Sequence, residues 1–139
     1  MSTHMKFVIG LSVIMFIPLL WHFATVFGYL GDAPQTRGEF FLRIGLIAGG
    51  FVVLSALTAM IVSARLGGDE IEPDEREWLI ETRAERNGGW VLMAGLIAVM
   101  WFAFSAQEPM DIANIALAIL ATGEAVKVAS GLLYLRGRA

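Results

Sequence analysis

The chain has 139 residues, 57% of them hydrophobic and 17% charged, with mean hydropathy +0.68 and formal net charge −3. A water-soluble domain this small needs more polar surface, and without a polybasic run the acidic balance argues against nucleic-acid binding. There is no cysteine, which excludes disulfide relays, thiolate metal sites and thiol nucleophiles.

The charges are segregated along the chain. No Asp, Glu, Lys or Arg occurs from Phe7 to Gly31, from Ile44 to Ala64, or from Asn87 to Gln107. Each run reaches the ~20 residues that cross a hydrocarbon core. The first predicts a span over about 7–30. It is too long for a signal-peptide core, has only Lys6 before it, and no clear small-x-small cleavage site follows. Pro18 predicts a kink that frees a backbone carbonyl. His22 falls in the outer half of this span, where an imidazole can give or take a proton near neutral pH. The breaker-rich segment Gly31–Gly38 is the first outer loop. A second span follows over about 40–64, with Thr58 inside it.

Gly67-Gly68 closes that span region. The spacing beyond it predicts an amphipathic cytoplasmic helix over about 73–87. Pro73 suits a first turn. Asp74, Glu75 and Glu77 then lie near the positive end of the helix dipole, and Arg83 and Arg86 near its negative end. Glu72 and Arg76 have the favourable i,i+4 order. Asn87-Gly88-Gly89 is expected to stop or kink this helix before the third span. Trp78, Leu79 and Ile80 give it apolar contact with a membrane surface. Two readings stand for it. It is a solvated tether that sets topology, or it docks a partner through Asp74, Glu75, Arg76, Trp78, Arg83 and Arg86, where mixed charge gives orientation and specificity. Its acidic residues lack the ligand spacing of a calcium loop.

The third span is expected over about 88–106 and the fourth over about 112–135. The short turn Gln107–Asp111 makes them antiparallel neighbours. Glu124 and Lys127 lie inside the fourth span, where each ionisable group costs roughly 2.5–3.5 kcal/mol on insertion scales. They are three apart, share a helix face and can pair. Gly123 and Gly131 permit close helix approach, and Asn114 and Thr122 add polarity. Three readings compete: the pair is structural glue within the bundle or a homodimer; Glu124 is the site of an ion- or proton-coupled transporter; or the pair docks a charged residue of a larger assembly. Antiparallel first and fourth spans would bring His22 and Glu124 to depths within about two turns.

The fold class that results is all-α: an integral membrane four-helix bundle with the additional cytoplasmic helix between spans 2 and 3, in one domain. Four spans put both termini and the central loop on one side. That side carries seven Lys/Arg against two, Arg37 and Arg43, on the other. The bias predicts cytoplasmic termini in a cell inner membrane. Trp90 and Tyr134 then sit at the cytoplasmic interface, and Trp101 and Tyr29 nearer the outer one.

The central loop resembles one found in small prokaryotic membrane proteins with four predicted spans. In those, Asp-Glu-Arg is followed by three residues, Ile, two residues, a basic residue and Ala; here that is Asp74-Glu75-Arg76, Ile80, Arg83 and Ala84. The motif covers about a tenth of the chain, and what it implies is the span count and a cytoplasmic central loop, with no activity attached. Arg83-Ala84-Glu85-Arg86-Asn87 also resembles the Arg-Ala-x-x-Asn element of small membrane glutathione-using enzymes. That element belongs to a second span and is followed closely by an acidic residue, whereas here it precedes the third span and Gly-Gly-Trp follows. Small multidrug exporters share four spans and one membrane glutamate, but theirs is in the first helix, and this first helix has none. No metal-ligand spacing, phosphate loop or nucleophile elbow is present. The expectation is a non-catalytic interaction or accessory subunit without a cofactor, in contact with the lipid bilayer and with copies of itself or a larger complex. The alternative is a small transporter using Glu124.

Overall fold

A computed structural model describes residues 3–66, 75–105 and 107–137. The described residues contain four helices: α1 (Thr3–Val26), α2 (Arg37–Leu66), α3 (Glu75–Phe104) and α4 (Pro109–Leu135). Each is long and apolar enough to cross a membrane, the make-up of a multi-pass membrane protein. Large apolar side chains stand open on them, among them Ile97 at 70%, Trp101 at 73% and Phe104 at 86% exposure. Apolar surface on that scale suits lipid rather than water.

The chain divides into two compact units, residues 1–72 and 73–139. In the first, α1 ends at Val26, earlier than hydropathy predicts. Gly28 takes the left-handed conformation (φ 77°). Its N–H reaches the Thr25 carbonyl (3.1 Å), and the Tyr29 N–H reaches Ala24 (2.8 Å). This paired C-terminal motif satisfies the last carbonyls and turns the chain, and glycine adopts its φ without penalty. α2 begins on a reciprocal cap. The Glu39 N–H donates to Thr36 Oγ1 (3.2 Å), while the Glu39 carboxylate accepts from the Gln35 N–H (2.8 Å). Hydrophobic membrane character continues past that cap, so the helix is longer than the 40–64 span.

In the second unit α3 and α4 run antiparallel, packed through small residues. A methyl group at Gly88 would stand 2.9 Å from the Gly123 carbonyl oxygen, and one at Gly123 would stand 2.9 Å from a Leu92 methyl. Gly95 is filled by Ile119, and Gly131 faces Ala84. Such contacts let helices approach where no hydrophobic force drives them together.

Of the expected stop or kink at Asn87-Gly88-Gly89, the stop is absent. Residues 75–104 form one continuous helix, so the charged segment is the start of the third span's own helix and not a separate element. The physical reason is visible at each position. Asn87 spends its side chain on α4, donating to Ser130 Oγ (3.1 Å) and Tyr134 Oη (3.0 Å) rather than capping α3. Gly88 is there for close approach. Residues 73 and 74 of the expected cytoplasmic helix, Asp74 among them, lie outside the described residues.

Candidate functional site

The α3–α4 seam carries the charged residues of interest. Lys127 Nζ pairs with Glu85 Oε1 at 3.2 Å, across the two helices. The lysine side chain is 24% exposed and the glutamate 58%, so the pair sits at the rim of the seam. Lys127 is therefore bound to α3 and not to its helix neighbour Glu124. Among the described residues no hydrogen bond or ion pair reaches the Glu124 carboxylate, and Glu124 is half-buried.

Register changes the meaning of this pair. Gly88 lies against Lys127, with 3.2 Å from a Gly88 methyl to the lysine Cβ. Gly88 is also where α3 leaves its charged segment, since Arg86 is its last charge. Lys127 is thus level with the edge of the uncharged run of α3. Glu124 lies about 4.5 Å further along it, well short of the middle near Ile97. By the expected 112–135 bounds alone, Glu124 falls near the middle of the fourth span. The pairing of α3 with α4 sets both charges level with the end of α3's uncharged run that adjoins its charged segment; in a bilayer that end is where insertion costs less.

The charged half of α3 has two faces. Glu77, Ile80, Ala84 and Gly88 are buried at helical spacing. Glu75, Arg76, Trp78, Arg83 and Arg86 are exposed. The candidate docking residues that are described therefore share the open side. The sequence places Glu77 in the first turn of the charged helix but not among the docking candidates. Its burial beside Ile80 and Ala84 is the signal, readable as a carboxylate on the apolar face.

His22 belongs to the first unit. It is fully buried and meets Phe23 and Phe40 edge-on, with ring centroids 5.4 and 5.7 Å away. One turn on, Thr25 donates to the His22 carbonyl (2.7 Å) and accepts from Arg43 Nη1 (2.6 Å). Arg43 Nη2 also donates to the Asp32 carbonyl (3.2 Å), and the guanidinium lies 4.8 Å from the centre of the Trp21 ring. The sequence marks Arg43 only as one of two basic residues on the outer side. It is a residue of α2 that ties α1, the loop and α2 together.

Among the described residues no three His, Asp or Glu side chains gather as a metal site. No protein-family model, curated protein or solved structure matches the chain.

Proposed function

We propose that this chain is a non-catalytic subunit of a membrane assembly, joined to its partner or to further copies of itself through the charged half of α3. The expected bundle of four spans, inner-membrane placement and cytoplasmic termini are part of the proposal. One observation carries it. α3 is one helix of 30 residues, about 45 Å long, against a hydrocarbon core of ~30 Å. The excess falls in the charged half, where Arg76, Trp78, Arg83 and Arg86 are exposed. A rigid, mixed-charge post with an aromatic on its open face suits oriented docking, and the inner face is already occupied by the helix's own packing.

The test is a crosslinked pull-down from native membranes with Arg76→Glu and Arg83→Glu combined. The expected outcome is loss of the associated protein or second copy, with the chain still inserted. Unchanged recovery overturns the reading. The transporter reading predicts the converse: ion or proton flux in liposomes that Glu124→Gln removes while association persists.

A further inference from the structure

The first unit contains a groove of about 1220 Å³ between α1 and α2. That exceeds the ~300–1,000 Å³ of small-molecule pockets. Its walls are apolar, with Ile14, Ile17, Leu46, Phe51 and Leu57 among them, and Gly49 and Gly50 leave part of its lining without side chains. Its loop end is polar: Asp32, Gln35, Glu39 and Arg43 line it beside Trp21. From Arg43 to Leu57, α2 runs about 21 Å, more than the ~15 Å of one leaflet's hydrocarbon.

These features share one direction. The charged residues stand where the first loop meets α2, and the apolar trough runs along the helices from there; with α2 across a bilayer, that polar end would face the headgroups. The polar end carries both signs. Arg43 uses two of its five N–H donors, on Thr25 and Asp32. The rest remain for an acceptor such as phosphate. The exposed Asp32 and Glu39 carboxylates offer sites for an ammonium. An acidic lipid would meet two carboxylates for one guanidinium; a zwitterionic lipid matches both signs.

We propose that the groove holds an acyl chain of an amine-headgroup phospholipid, with its phosphate at Arg43 and its ammonium at Asp32 and Glu39. The lipid stands in the outer-loop half of the first unit.

The experiment is native mass spectrometry of the full chain in detergent, titrated with palmitoyl-oleoyl phosphatidylethanolamine or with phosphatidylglycerol of the same chains. One retained phosphatidylethanolamine is expected, with a preference of about fivefold, the size exposed ion pairs support. Asp32→Asn, which keeps the backbone carbonyl, should erase most of that preference. Gly50→Leu should expel the lipid at unchanged helix content, because a Cβ there meets nothing within 4 Å. Equal retention of both lipids, or retention unaffected by Gly50→Leu, overturns the proposal. So does a dimer that Gly50→Leu abolishes while lipid retention persists, since a second copy would then fill the groove.

Discussion

Two cations with similar sequence settings have different structural work. Lys127 pairs with Glu85 at a partly exposed rim, and such pairs contribute little, about 0.2–1 kcal/mol. Lys127→Ala and Glu85→Ala should each lower unfolding stability by about that much, and the double variant should show coupling in a mutant cycle. Unfolding in mixed micelles measures this; coupling of Lys127 to Glu124 instead would contradict the observed geometry. Arg43 holds more, with a 2.6 Å bond to Thr25, a carbonyl and an aromatic face. Arg43→Ala should cost about 1–3 kcal/mol, and lysine should rescue only part, because an ammonium lacks the planar fork. The distinction was not readable beforehand. Both residues are single charges next to apolar sequence, and only the partner across the helix pair tells them apart. The Thr36-x-x-Glu39 cap is local, since both members lie within one turn, but the breaker-rich loop reading of residues 31–38 passes over it.

At the scale of the helix, glycine carries two meanings that sequence does not separate. Gly28 ends α1 with φ 77°, so Gly28→Ala should destabilise by about 1 kcal/mol through backbone strain alone. Gly88 lies inside α3 and faces the Gly123 carbonyl oxygen. Gly88→Val should push the α3–α4 pair apart at a cost of about 1–3 kcal/mol, whereas the same change at Gly89, whose Cβ meets nothing within 4 Å, should have a smaller effect. Thermal unfolding of the two variants side by side checks this. Local propensity reads Asn87-Gly88-Gly89 as a stop or a kink. Tertiary packing overrides propensity when the opposing helix supplies the missing contacts. The length of α3 follows from the same override.

At the scale of the whole chain, four apolar helices were legible because a ~30 Å apolar solvent demands ~20-residue apolar runs. The charge bias further predicts that cysteines placed at Arg65 and Gly137 label only from the cytoplasmic side, and one placed at Gln35 only from the opposite side. The natural absence of cysteine makes such single-site labelling clean. Labelling of Gln35→Cys from the cytoplasm would reverse the topology.

Span number, the segregation of charge and the caps at residues 36–39 were determined by the sequence itself, because hydropathy and local hydrogen bonding act over a turn or a bilayer's width. The partner of Lys127, the depth of Glu124, the continuity of α3 through its glycines and the latch at Arg43 were decided only by tertiary structure. Each depends on which residue stands opposite on another helix, and that register is set by the fit of small residues across a seam, a property no single segment contains.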